Sequence, residues 1–160
     1  MTSNIIQLTT EQIPQLVTIE QNAHISPWSK GMFETAFNAR CFNFALSVSE
    51  GEQQKIVGYV IAEIVAGEVT LHNICVAKGQ QGQGYSTILM QHFIEKSKSL
   101  NGEDIWLEVR RSNNVAIQLY KKFGFIDQGV RKGYYAIPLQ MQNDEGEIRE
   151  DALLMSLKLN

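Results

Sequence analysis

Residues Ile56 to Thr87 read IVGYVIAEIVAGEVTLHNICVAKGQQGQGYST, and this stretch decides the fold. Ile56 to Val65 is apolar on both alternating faces apart from Glu63, the pattern of a strand covered on both sides. Gly67-Glu68 predicts a tight turn and Val69 to Val76 the next strand, so the two should pair as an antiparallel hairpin. Ala77 to Gln83 predicts a loop opening a helix whose buried stripe is Ile88, Leu89 and Phe93. Glycines between a strand and a helix let a ligand approach the backbone, and the free N–H groups and positive helix end favour an anion such as pyrophosphate. A flexible connecting loop has the same composition, and the letters alone leave both readings open.

The flanks extend the pattern. Ile5 to Leu8 predicts a short first strand. Thr9 with Gln12 makes a capping box for a helix carrying Ile13, Leu16, Val17 and Glu20 at helical spacing, with Pro14 in its first turn. Ser29 opens a second helix with Phe33, Ala36 and Phe37 on one face, Phe42 to Ser49 predicts a strand, and Glu50 to Lys55 a polar turn. Ile105 to Val109 predicts a strand with Ile105, Leu107 and Val109 on one face, leaving Trp106 and Glu108 on the other. Asn113 or Asn114 caps a helix bearing Ala116, Leu119, Tyr120 and Phe123, which Gly124 stops. Phe125 to Tyr135 and Ala152 to Leu159 predict the last strands, and Ala136 to Asp151 a polar, mobile loop.

Composition bounds the function classes. With 160 residues, 44% of them hydrophobic and 19% charged, residues 1–160 suit one domain with a full core. A formal net charge of −3 without a basic run argues against a nucleic-acid surface. No apolar stretch approaches the about 20 residues of a membrane span, and the start shows no secretory signal, so a cytoplasmic protein is expected. Cys41 and Cys75 have no metal-like spacing and predict reduced thiols. His24, His72 and His92 are scattered, so no metal is expected. A Walker loop is absent, and the dinucleotide fingerprint that would start at Gly82 and Gly84 fails at Thr87.

Three motifs carry a resemblance. Gln81-x-x-Gly84-x-Ser86 resembles the Q/R-x-x-G-x-G/A acetyl-CoA loop of the GNAT superfamily, with Ser86 where Gly or Ala is usual. Trp106-Leu107-Glu108-Val109-Arg110-Arg111-Ser112-Asn113, followed by Ala116-Ile117-x-Leu119-Tyr120-x-x-x-Gly124-Phe125, resembles the signature of the ribosomal-protein-alanine N-acetyltransferases. Ala23-His24-x-x-Pro27-Trp28-Ser29 resembles the same subfamily near its N-terminus, and Arg149-Glu150-Asp151-Ala152 its C-terminal strand.

The resemblance implies an α/β (α+β) fold with a mixed, mostly antiparallel sheet whose fourth and fifth strands splay, flanked by helices. It implies acetyl-CoA as co-substrate, with pantetheine against the backbone of Ile74, Cys75 and Val76, and pyrophosphate at the N–H groups of Gly82, Gln83, Gly84, Tyr85, Ser86 and Thr87. Asn113 matches a cofactor-contacting asparagine, Glu108 the proton acceptor and Tyr120 the proton donor. The implied acceptor is the N-terminal alanine of a ribosomal small-subunit protein. The subfamily's Asn-Tyr-Tyr-Pro appears here as Gly133-Tyr134-Tyr135-Ala136-Ile137-Pro138, with the proline displaced.

Chemistry makes these roles reasonable. An α-amine with a pKa of about 7.7–8.0 is mostly protonated at neutral pH and needs a base. Glu108 alone also reads as a strand-end polar residue, Tyr120 as a buried structural tyrosine, Asn113 as a helix cap, and Cys75 as a packed thiol or a nucleophile. Three readings stand: a protein N-terminal acetyltransferase, an acetyltransferase of a small amine, and a non-catalytic acetyl-CoA-binding module. Glu108 and Tyr120 together argue against the last. Oligomeric state is not readable, and a monomer is compatible with the sequence.

Overall fold

The computed structural model describes residues 2–142, 146 and 148–160. Its chain runs β1 (Thr2–Gln7), a 3-10 turn (Thr10–Gln12), α1 (Ile13–Ala23), α2 (Lys30–Thr35), β2 (Phe44–Glu50), β3 (Gln53–Val65), β4 (Glu68–Val76), α3 (Tyr85–Ser99), β5 (Asp104–Arg110), α4 (Asn114–Lys122), β6 (Ile126–Ala136), a second 3-10 turn (Leu139–Met141) and β7 (Arg149–Lys158). The seven strands form one sheet in the order β1-β2-β3-β4-β5-β7-β6. Only β4 and β5 pair in parallel; the other neighbours are antiparallel. This is the expected mixed, mostly antiparallel α/β architecture.

Local chemistry sets the element ends. The Thr9–Gln12 capping box forms as expected, although it closes the 3-10 turn that leads into α1. Ser29 caps α2 by accepting from Met32 N at 3.2 Å, but that helix ends at Thr35, leaving Ala36 and Phe37 beyond it. Gln53–Lys55, expected as turn, already belongs to β3, because the hairpin needs only Gly51-Glu52 to reverse. The next reversal uses Ala66-Gly67, so Glu68 begins β4. In α3 the buried residues are Leu89, Met90, Phe93 and Ser97; Ile88 is exposed, one position off the face that meets the sheet. Arg149–Asp151, expected in the mobile loop, starts β7; the rest of that expectation falls partly on residues 143–145 and 147, outside the described residues.

The sheet divides the core into two layers. On one face α3 and α4 pack over Leu46, Val60, Leu71, Leu107 and Met155. On the other, α1 and α2 cover Ala45, Tyr59, Ile61 and Cys75. A Cβ on Gly58 would lie 2.8 Å from both Cys75 O and Leu89 Cδ1, so glycine lets α3 press onto β3 and β4.

Two irregularities shape the middle of the sheet. Ile61 pairs with Asn73 and Ala62 with Leu71, so His72 is an extra residue in β4. One added residue swaps the faces of all that follow. Asn73 and Cys75 therefore turn toward α1, while Leu71 before the bulge faces the α3 layer. At the same point β4 leaves β5: their parallel pairing runs from Glu68↔Asp104 to Leu71↔Leu107 and stops. Beyond it, β5 continues along β7 to Arg110 while β4 continues along β3 to Val76.

Candidate active site

The parting strands open a cleft of about 520 Å³. Ile74, Cys75 and Val76 supply one wall, the loop before α3 supplies another, and α4 with Asn113 the third. Gly82 and Gly84 have φ values of 79° and 82°, the left-handed region that favours glycine, and open space where a Cβ would stand. Gly84 is the N-cap of α3 without a side-chain cap bond, so the first-turn N–H groups are left for a ligand. Gly82, Gly84, Tyr85, Ser86 and Thr87 line the cleft; Gln83 does not, and its amide donates to Gln80 Oε1 at 3.4 Å. Lys122 adds a cation, with Nζ donating to Thr87 Oγ1 at 3.3 Å. Free N–H groups, a helix end and a lysine in one cleft suit a pyrophosphate. The unpaired edge of β4 suits an extended amide-bearing arm.

A second cavity of about 480 Å³ adjoins the first. Ala23, His24, Ile74, Asn113 and Ala116 line both, so the two meet where β4 and β5 part. Glu108, Tyr120 and Tyr135 line the second cavity together. Glu108 Oε1 lies 3.1 Å from Arg131 Nε, and the carboxylate side chain is 26% exposed. Among the described residues no protein group pairs with its other oxygen. Tyr120 is buried by its position on α4 and packs on Phe125 with ring centroids 5.7 Å apart. Burial, with Tyr135 adding to it, pushes its hydroxyl above the ordinary tyrosine range. Asn113 caps α4, its Oδ1 accepting from Ala116 N at 3.2 Å, while lining both cavities.

The outer wall is built by β6 and β7. Arg131 pairs with Ala152 and Tyr135 with Glu150, so residues 132–134 face Asp151 alone. Asp151 Oδ1 accepts from Gly133 N at 2.9 Å and pins this bulge. It brings Tyr135 over the cavity, where the Arg110 guanidinium stacks 4.5 Å from its ring centroid. Arg110 also donates to Glu150 Oε1 at 2.9 Å and to Ala136 O at 3.0 Å, tying the end of β5 to both outer strands. Burial, then the Glu108 charge, pushes the Tyr135 hydroxyl up to about 12.

A buried network lies behind the shared wall. Glu20 Oε1 accepts from Tyr59 Oη at 2.6 Å and Asn73 Nδ2 at 2.9 Å. Glu20 Oε2 accepts from Trp28 N at 3.0 Å and meets His24 Nδ1 at 2.9 Å. Donor atoms of Glu20, His24 and Cys75 lie within 4.8 Å of one another, a set that can hold a metal by type. Both carboxylate oxygens, however, are already taken up by these protein contacts. Sequence reading passed over this network, along with Lys122, Arg131 and Arg110. The available signal was Glu20 itself, a carboxylate on the apolar stripe of α1, where burial demands donors.

Residues 13–125 match the Acetyltransferase (GNAT) family. The chain is similar to the ribosomal protein bS18-alanine N-acetyltransferase of Escherichia coli, 35% identical over 158 residues, covering 99% of each chain. It is also similar to the protein of the same name from Haemophilus ducreyi, at 36% identity over 145 residues, 91% of this chain and 92% of that one. The crystal structure of the Escherichia coli enzyme superposes with a TM-score of 0.86 over 99% of this chain and 95% of that one, at 35% identity. Arabidopsis thaliana NAA60 in complex with acetyl-CoA shares the fold, with a TM-score of 0.81 at 18% identity, covering 98% of each chain.

Proposed function

The chain belongs to the acetyltransferase (GNAT) family, and from that premise we propose that it transfers the acetyl group of acetyl-CoA to the N-terminal α-amine of a ribosomal small-subunit protein beginning with alanine. The observation that carries the reading is the junction of two cavities where β4 and β5 part: one suited to a pyrophosphate and an extended arm, the other lined by Glu108 and Tyr120. Similarity to bS18-alanine N-acetyltransferases over nearly the whole chain supports the acceptor class.

The steps belong to this chain's own residues. The N–H groups of Gly82, Gly84, Tyr85, Ser86 and Thr87 and the Lys122 cation hold the pyrophosphate, and the free edge of Ile74 to Val76 receives the pantetheine arm. Glu108 takes the proton of the α-amine, directly or through one water, with the carboxylate oxygen that Arg131 leaves free. The amine then attacks the thioester carbon, and the Val76 N–H stabilises the charge that develops on the acetyl oxygen. Tyr120, kept protonated by burial, gives its proton to the leaving thiolate. Alignment of both substrates at the junction supplies much of the remaining acceleration. A small first side chain lets the amine reach the thioester beneath Tyr135.

CoA release with an alanine-starting peptide, measured beside the same peptide with a blocked α-amine, tests the reading. Turnover of the free peptide alone supports it; equal turnover of both, or of neither, contradicts it.

A further inference from the structure

The Glu20–His24 pair reaches the junction of the two cavities, and the steps above do not use it. Glu20 is fully buried, yet its carboxyl is held down to about 2: burial opposes ionisation, but His24, Tyr59 and the Trp28 N–H outweigh it. A carboxylate has no proton to give, so His24 Nδ1 donates in their 2.9 Å contact. Burial opposes the His24 cation as well, but Cys75 and Glu20 beside it outweigh burial and raise it to about 10. At neutral pH the ring therefore carries a second N–H, at Nε2.

Fastening the end of α1 accounts for Nδ1. It leaves Nε2 with no protein acceptor among the described residues. No buried side-chain nitrogen or oxygen among them lacks a partner, and the His24 side chain is 33% exposed, so Nε2 opens outward rather than into the core. Of the residues that line both cavities, His24 alone is ionisable; the others are Ala23, Ile74, Asn113 and Ala116. In the proposed reaction an amine meets a thioester at this junction, and the acetyl oxygen becomes negative there. A cationic donor favours that oxygen and disfavours the protonated amine, which cannot attack.

We propose that His24 is a further catalytic residue, its Nε2–H donating to the acetyl oxygen as negative charge develops there, beside the Val76 N–H. This rests on the reading of the cleft as the acetyl-CoA site. The amine nitrogen forms its bond to the acetyl carbon, and the carbonyl electron pair moves onto the oxygen held by the two N–H groups. The pair returns as the carbon–sulfur bond breaks, and the thiolate leaves with the electrons of that bond. His24 gives up no proton in the cycle: Glu108 receives the one from the amine, and Tyr120 supplies the one to the thiolate. Glu20 is a positioning residue, fixing the ring through Nδ1.

The test mixes the full chain with acetyl-CoA isotope-labelled at the acetyl carbonyl, without an amine, and reads the bound carbonyl by difference infrared spectroscopy. Calorimetry on the same preparation measures acetyl-CoA binding. The expected carbonyl stretch lies at lower frequency in wild type than in His24→Leu, because the hydrogen bond weakens the C=O bond. His24→Leu should lower kcat by roughly 10²-fold, with the KM of an alanine-starting peptide and the acetyl-CoA affinity close to wild type. His24→Gln, which keeps a neutral N–H, should recover part of both effects. If His24→Leu does not fold, wild type decides alone: NMR of isotope-labelled imidazole nitrogens should show the His24 Nε2 signal moving with acetyl-CoA and not with CoA, and equal responses to the two overturn the proposal. A carbonyl band unmoved by His24→Leu, or a raised peptide KM with kcat unchanged, overturns it while leaving the proposed function standing. Failure to bind acetyl-CoA overturns the reading of the cleft, and this role with it.

Discussion

Arg131 reaches from β6 to place its Nε 3.1 Å from Glu108 Oε1 on β5. The two strands are not neighbours, because β7 lies between them. The pair therefore reaches across β7, and it holds one oxygen of the carboxylate while the other has no protein partner among the described residues.

Glu108→Gln should leave acetyl-CoA affinity nearly unchanged and lower turnover by roughly 10²–10⁴-fold at neutral pH. The loss should shrink as pH rises toward and above the α-amine pKa, because more of the acceptor then loses its proton unaided. Tyr120→Phe should also lower turnover, without that rescue. A pH–rate series over the three proteins checks this, and full activity of Glu108→Gln at neutral pH contradicts the base assignment.

Arg131→Met should lower kcat by less than Glu108→Gln does, since the base remains but is no longer held. Acetyl-CoA binding should be unchanged, because Arg131 does not line the cofactor cleft. Steady-state kinetics together with calorimetry separate the two effects; a weakened cofactor affinity without a kcat change would contradict the placement.

Gly84→Val should weaken acetyl-CoA binding for two reasons. Its φ of 82° strains a branched side chain, and the added bulk stands at the end of α3 where the backbone must approach the ligand. Ser86→Gly should bind normally. Calorimetry giving wild-type affinity for Gly84→Val would move the pyrophosphate elsewhere.

The Glu20–His24 pair predicts two limits of stability against pH. The Glu20 carboxyl is lowered from 4.5 to about 2, so its stabilisation is full above 4.5 and is lost as pH falls through 2. The His24 imidazole is raised from 6.5 to about 10, so its stabilisation is full below 6.5 and is lost as pH rises through 10. Melting temperature against pH should fall on both sides of that window. His24→Gln should flatten the alkaline fall and Glu20→Gln the acid one; unchanged slopes in both variants would contradict the network.

The hairpin, the glycine loop and the block from Trp106 to Asn113 were legible because each is contiguous. Periodicity, turn chemistry and capping act within a few residues, and there the letters suffice. Glu108 and Tyr120 could be singled out by resemblance to family motifs. The Arg131 contact could not, because it depends on the pairing of β7 between the two strands. The His72 bulge was equally hidden: one extra residue leaves the apolar alternation plausible while exchanging the faces of Asn73 and Cys75. Glu20 sat in plain view on the α1 stripe, but its donors come from β3, β4 and the segment after α1. Ile88 was misplaced because Met90 shares the face of Leu89 and Phe93 toward the sheet.

The central claim is the acceptor. An α-amine loses its proton far more readily than a lysine side chain, whose pKa is about 10.4, so selection for a protein N-terminus suits this site near pH 7. The direct measurement is CoA release over a matched panel of peptides beginning with Ala, Ser, Gly or a bulky residue, internal lysines, polyamines and aminoglycosides, with mass spectrometry locating the acetyl group. Acetylation of the α-amine of alanine-starting peptides, including the N-terminus of the cognate small-subunit ribosomal protein, well ahead of every lysine and small amine, is the predicted result. Preference for a polyamine or an aminoglycoside would contradict it.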